Sequence, residues 1–484
     1  MTNTAFDARP HAWAGLLPRD RLQTVYLVLF LAWIYLYSPG VFISDSMSQY
    51  TNAVNGWFSN WWPTVMPMVW AALLPALGVH GVFIVHSAAY FLGLYCIAAT
   101  LDRTRRTLRI VAYALPFLPL TMCFLPLLTT DVAMATAVIL LAGVAVRYRA
   151  TGNRTFLLIG LPASYYAINA RHGNVLTTLP LILLVLVPFL RPWLARIRLH
   201  RPIWSVAGAA AVAVGMLLAQ AGLNRMVRAE PNNASHHYYH YMVGTLYRAD
   251  GNLGAFPDRF LKPGKTKADL LEYYLIHPGN ADIFSAWGEN LTRQEEPLLI
   301  DVGSAPLRDT LDIVLQHPLA FLRYRVDMAR DMTRHGIVYF DYKYVMQDMG
   351  NLRDQDLTEA MKRTSAYTRD WVHHLLYAWN NVPMRVLKDI RLHLALDAVM
   401  LVFLLTRRSW GNPVMALVMT GLLQTALLFA LAPGGGGWNT RYFYSVYAAN
   451  GLALVLCVCA LIDPALRRVL FERGDRSGQP GAAA

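Results

Sequence analysis

The sequence predicts an all-α integral membrane protein of about ten transmembrane helices, with an outward interfacial segment after the first helix and one large extracytoplasmic loop region. Three observations carry this. Of the 484 residues, 55% are hydrophobic and only 15% are charged. Apolar stretches recur near the ~20 residues that cross a hydrocarbon core. The net charge of +13 is divided into short arginine clusters between those stretches, which is how cytoplasmic loops are marked. A nucleic-acid surface would gather its basic residues on one face or tail, so the expected partner is the lipid bilayer and no nucleic acid.

The first apolar stretch, 22–42, is longer than a signal-peptide core and has no small-residue cleavage site, so it is expected to remain as an anchor. Basic clusters follow at Arg19 and Arg21, Arg103 to Arg109, Arg147 to Arg154, Arg191 to Arg201, Arg407 with Arg408, and Arg467 with Arg468. If each is cytoplasmic, neighbouring clusters are joined by an even number of crossings. Spans over 22–42, 81–100, 110–128, 132–146, 155–170, 174–190, 203–223, 390–406, 413–432 and 443–462 satisfy that rule and leave both termini in the cytoplasm. The stretch 64–78 is left over. It is short and carries Pro67 and Pro75, so it is expected to lie at the outer interface or to re-enter from it.

Three regions result: an N-terminal membrane domain (1–223) that carries the outward acids, a mostly helical extracytoplasmic region (224–389), and C-terminal membrane helices with a cytoplasmic tail (390–484). Every lysine, from Lys262 to Lys388, falls in the middle region, where helices are expected over 306–336 and 352–373. Cys96, Cys123, Cys457 and Cys459 all lie in apolar segments and read as small core residues.

The outward corners hold the candidate chemistry. Asp45 follows the first helix and precedes Trp57, Trp61, Trp62 and Pro63, which places an acid beside an aromatic platform at membrane level. A helix cap and an ordinary interfacial belt would look the same. Asp131 opens the helix after Thr129 and Thr130, again as a cap or as a functional acid at costly depth. Arg171 and His172 sit in the corner 169–174, against the charge rule for outer loops. Their cation calls for an anion, either a lipid phosphate matched to the guanidinium fork or one of the acids Asp45 and Asp131. A glycine run ends in Arg441 and Tyr442 at the mouth of the last helix, a second outward cation, without the lysine ending of a phosphate loop. His236, His237 and His240 lack an acid or cysteine at ligand spacing and read better as packing than as a metal site.

In their order and sidedness these features resemble the GT-C superfamily of membrane glycosyltransferases, which includes the protein O-mannosyltransferases and the lipid A aminoarabinose transferase. The resemblance rests on the outward acid Asp45, the Trp62-Pro63 segment and the second acid Asp131. The Arg171-His172-Gly173-Asn174 corner, the Thr440-Arg441-Tyr442 corner and the segment QHPLAFLRYRVD (316–327) are similar to those of uncharacterised bacterial members. The resemblance implies Asp45 as catalytic base and Asp131 as a residue for the acceptor or for a divalent cation, the one candidate cofactor. It implies Arg171, His172, Arg441, Tyr442 and Trp62 around a polyprenyl-phosphate-linked sugar donor. The acceptor would be a glycan, lipid or protein of the cell envelope, at the outer face of a bacterial inner membrane. Two departures bear on the acceptor: Ser46 stands where the mannosyltransferases have an acid next to the first, and about ten spans are expected. The alternative class is a transporter or flippase for a lipid-linked or anionic solute, which would show inverted repeats; none is evident in the sequence.

Overall fold

A computed structural model describes residues 21–42, 44–59, 63–102, 106–118, 124–171, 173–197, 201–230, 235–276, 298–300, 302–334, 387, 389–406, 411–431 and 442–471. Among these residues the regular structure is helical, and the only β pairings are isolated bridges. The N-terminal half runs α1 (Arg21–Tyr37), α2 (Ser44–Asn55), α3 (Val65–Leu77), α4 (Gly81–Leu101), α5 (Arg106–Ala114), α6 (Thr130–Thr151), α7 (Thr155–Asn169), α8 (Asn174–Arg196) and α9 (Pro202–Met226). The remainder is α10 (Ser235–Asp250), α11 (Lys267–Ile276), α12 (Leu307–Gln316), α13 (Pro318–Arg334), α14 (Ile390–Thr406), α15 (Pro413–Leu431), α16 (Tyr444–Ile462) and α17 (Pro464–Phe471).

Six helical stretches among the described residues are long and apolar enough to cross a membrane: Val65–Leu101, α6, α8, Ile203–Met226 of α9, α15 and α16. The apolar helices α1, α7 and α14 have 17, 15 and 17 residues. The expected span over 110–128 is not a single helix: α5 stops at Ala114, a 3-10 turn containing Pro116 follows, and Leu127 N–H closes a turn on Phe124 O. Pro116 has no N–H to continue the ladder. The leftover segment 64–78 forms α3, a helix of its own that folds back at Gly78, so that Leu73 lies against Gly81 and the Trp70 indole donates to Val79 O.

Helix α6 is the axis of the bundle. It is apolar on every side, as a helix surrounded by other helices must be, and is buried from Asp131 to Arg147. Gly143 of α6 meets the backbone of Gly93 of α4, while a Cβ at Gly93 would lie 2.7 Å from Ile139 O. Small residues at that crossing allow the two backbones to touch, the contact that drives helix association where lipid is as apolar as leucine.

The two ends of the bundle differ in chemistry. At one, Arg147 Nη1 donates to Ala99 O (2.9 Å), and Arg149 donates to Val469 O and Gly411 O (both 3.0 Å). Arg109 pairs with Asp102 at 2.7 Å. Arginine clusters from distant parts of the chain thus meet at a single end. At the other, Ser59 bridges Glu230, Glu230 N–H donates to Phe58 O (2.8 Å), and Thr64 donates to Asn224. These contacts tie the segment after α2 to the start of the large loop. The loop has its own core of Tyr239, Met242, Leu246, Phe256, Leu270 and Ile313. Of the helices expected there, the described part of 306–336 forms α12 and α13, and 335–336 and 352–373 lie outside the described residues.

Candidate functional site

The site begins with a parallel pairing of two short extended segments. Val41 N–H donates to Pro126 O (2.7 Å) and Leu128 N–H donates to Val41 O (3.0 Å). Gly40, with a φ of 96°, makes that approach feasible, because a Cβ there would stand 2.9 Å from Leu128 and Phe83. Each segment then turns into a helix, α2 and α6, and Asp45 and Asp131 lie in their first turns. Both acids are therefore set where the aligned peptide dipoles favour negative charge.

Capping does not use up Asp131. Thr129 is the N-cap of α6, its hydroxyl accepting from Val132 N–H at 3.2 Å. The Asp131 carboxylate is buried and instead pairs with Arg171 Nη1, where the α7–α8 corner crosses α6. Of the two acids open as partners for Arg171, the fold selects Asp131. The guanidinium carbon also lies 4.0 Å over the ring of Tyr442, a cation–π contact. Asp131, Arg171 and Tyr442 thus form one cluster from three distant segments. Asp45 is half-buried one pairing away, and its carbonyl accepts from Gln49 Nε2 at 3.2 Å. Trp62, His172 and Arg441 lie outside the described residues, although Arg441 directly precedes Tyr442.

Two asparagines fix the corner that carries Arg171: Asn169 donates to Tyr165 O (2.9 Å) and Asn174 to Ala167 O (3.3 Å). Behind it, the buried His86 of α4 hydrogen-bonds the Tyr166 hydroxyl at 2.8 Å. His86 has no loop motif to mark it; its signal in the sequence is a histidine inside an apolar span. Among the described residues no three His, Cys, Asp or Glu side chains gather as a metal site, and the charge of Asp131 is met by Arg171. Cys96, Cys457 and Cys459 are buried and unpaired with each other, and Cys123 lies outside the described residues.

The segment 316–327 docks the loop onto the bundle. Arg325, itself buried, donates through Nε and Nη2 to Phe429 O at 3.1 and 2.8 Å, and the Tyr241 hydroxyl donates to Leu431 O. A cation on the last carbonyls of α15 suits the negative end of that helix. His240, far from forming a metal site, hydrogen-bonds the Tyr324 hydroxyl in the same cluster. Burial first, then the nearby Arg325 charge, pushes its pKa down to about 3.

This depression sets a pH response. Above the unfolded value of about 6.5 both states hold a neutral ring, so His240 contributes nothing to the balance. Below it, the unfolded ring takes up a proton that the buried ring refuses, and stability is lost as pH falls toward the folded value of about 3. At pH 5 the loss is roughly 2 kcal/mol. Hydrogen exchange in α10 should accelerate from pH 7 to pH 5 beyond its intrinsic pH dependence. His240→Gln should remove most of that excess; an unchanged excess would assign it to another group.

No family model matches this chain, and neither does any curated protein.

Proposed function

We propose that the protein is a membrane glycosyltransferase that moves a sugar from a polyprenyl-phosphate carrier to a cell-envelope acceptor at the outer side of a bacterial inner membrane. The observation that supports this most is the joining of Asp131, Arg171 and Tyr442 at the end of the bundle where Asp45 opens α2 and the large loop docks. In this reading the loop end faces outward, the arginine-rich end faces the cytoplasm, and α1, α7, α14 and the segment 110–128, broken at Pro116, complete about ten crossings.

The chemistry is a single displacement at the anomeric carbon. The acceptor hydroxyl oxygen bonds to that carbon, its proton passes to the Asp45 carboxylate, and the bond to the carrier phosphate breaks. Arg171, held by Asp131 and Tyr442, offers its remaining N–H donors to the departing phosphate, and Arg441 adds a second positive charge. Asp131 serves mainly to aim Arg171, a narrower role than acceptor or cation binding. Purified protein in liposomes should consume polyprenyl-phosphate-linked sugars extracted from an envelope fraction, with mass spectrometry detecting free carrier phosphate and a glycosylated product. Flux of intact lipid-linked sugar with no covalent product would favour the second reading, a transporter. One observation supports that alternative: an acid, Asp397, buried inside the membrane helix α14.

A further inference from the structure

Helix α14 turns one stripe inward, Ile390, His393, Asp397, Met400 and Leu404. An acid on that stripe faces neighbouring helices rather than water. Asp397 is fully buried, and its Oδ2 accepts from Asn450 Nδ2 of α16 at 2.8 Å. Its other oxygen, Oδ1, and Asn450 Oδ1 are both buried acceptors without a hydrogen-bond partner.

The third wall is α15. Asn450 Oδ1 presses on the backbone at Gly421, a position where any Cβ would collide with it. Gln424 and Thr425 follow one turn along that face and Thr420 adjoins it. All three are buried, and Gln424 Oε1, Thr420 Oγ1 and Thr425 Oγ1 have no hydrogen-bond partner. Buried threonines elsewhere in the bundle donate to the preceding turn, as Thr136 does to Val132 O at 2.9 Å. Here five oxygens on three helices are left with lone pairs and no positive charge.

Among the described residues of these three helices, no cationic side chain is in place to supply one. Neither α15 nor α16 has a charged residue. On α14, Arg391 is engaged by Asp389 at 2.6 Å. His393 directs Nε2 at Leu387 O (2.7 Å), and its ring packs 4.7 Å from that of Tyr447 of α16. An ionised carboxylate without a counter-charge at that depth is strongly unfavourable. One formal negative charge with only neutral oxygens on the facing stretches of the neighbouring helices matches a single positive charge better than a divalent ion, whose sites collect several carboxylates.

We propose that Asp397 and Asn450, with Gln424, Thr420 and Thr425, form a binding site for a small monovalent cation, a proton or an alkali-metal ion, within the membrane domain. A proton on Asp397 Oδ1 and an alkali ion among the five oxygens answer the same electrostatic demand. The assignment uses no residue of the sugar-transfer reading and stands or falls apart from it.

Two measurements on the purified full chain distinguish the sources. Thermal unfolding is followed in NaCl, KCl and choline chloride at equal ionic strength. Infrared difference spectra on aspartate-labelled protein then seek the carbonyl stretch of a protonated carboxylic acid. An alkali ion gives a saturating rise in melting temperature with Na+ or K+ that Asp397→Asn abolishes. A proton gives no such salt specificity but an infrared band that Asp397→Asn removes. Should Asp397→Asn fail to accumulate, Gln424→Leu and Thr425→Val remove oxygens without stranding a charge. They should raise the ion midpoint at least tenfold or shift the infrared band. A parent protein with neither ion-specific stabilisation nor a protonated carboxyl overturns the proposal, as does either signal persisting unchanged in all three variants.

Discussion

Asp45→Asn protein will insert and fold like the parent and lose sugar transfer by roughly 10²- to 10⁴-fold, the usual contribution of a positioned general base. The substitution is nearly isosteric, so its structural cost should be small: Asp45 is half-buried and in the first turn of a short helix. Losing the favourable interaction with the helix dipole costs at most about 2 kcal/mol. Activity and stability therefore separate cleanly at this position. The assay is release of free carrier phosphate in liposomes, read beside a thermal melt of the same preparation. An Asp45→Asn protein that transfers sugar within about threefold of the parent would remove the base from the mechanism.

Arg171 should behave in the opposite way. Its partner Asp131 has a side chain only 5% exposed, against 21% for Arg171. Arg171→Ala takes the guanidinium away from a buried carboxylate, and breaking such a pair from one side costs roughly 3 kcal/mol or more. Asp131→Asn leaves the more exposed partner unpaired and should cost less. In the double variant the two losses should not add, with a coupling of roughly 2 kcal/mol in a denaturation cycle. Arg171→Lys keeps the charge but loses the flat contact with Tyr442 and the fork of donors. It should accumulate normally and slow transfer by about tenfold, the value of one charge-assisted hydrogen bond in the transition state. If Arg171→Lys turns over at the parental rate while Arg171→Ala fails to accumulate, the residue is an ion-pair partner alone.

Much of this cluster was legible because charge at a membrane boundary obeys strict bookkeeping. Arg171, in a corner expected to face outward, demanded an anion, and only a few acids were available. Which acid answers depends on how the α7–α8 corner crosses α6, a packing outcome that no local pattern records. Thr129 and Asp131 both suit a helix cap, and the backbone at the entry to α6 decided between them. The break at Pro116 was hidden because hydropathy averages run straight across a turn whose residues are as apolar as the helices beside it. Asp397 escaped for a related reason: the parity argument weighs loops, and one acid inside an apolar window barely changes its mean. A search for buried charges within spans would have found it.

The burial of α6 on all sides also imposes a schedule on the growing chain. Its neighbours include α4, made before it, and α7, α8 and α16, of which α16 emerges from the ribosome only after the loop and α15. Until then one flank of α6 lacks its native cover, and Arg171 has met Asp131 but not Tyr442. Assembly must therefore finish after translation, with the last hydrophobic segment closing the structure over a helix inserted long before. A chain that stops short of α16 would leave the axial helix flanked by lipid where it expects protein, which is the kind of surface that membrane quality-control proteases recognise.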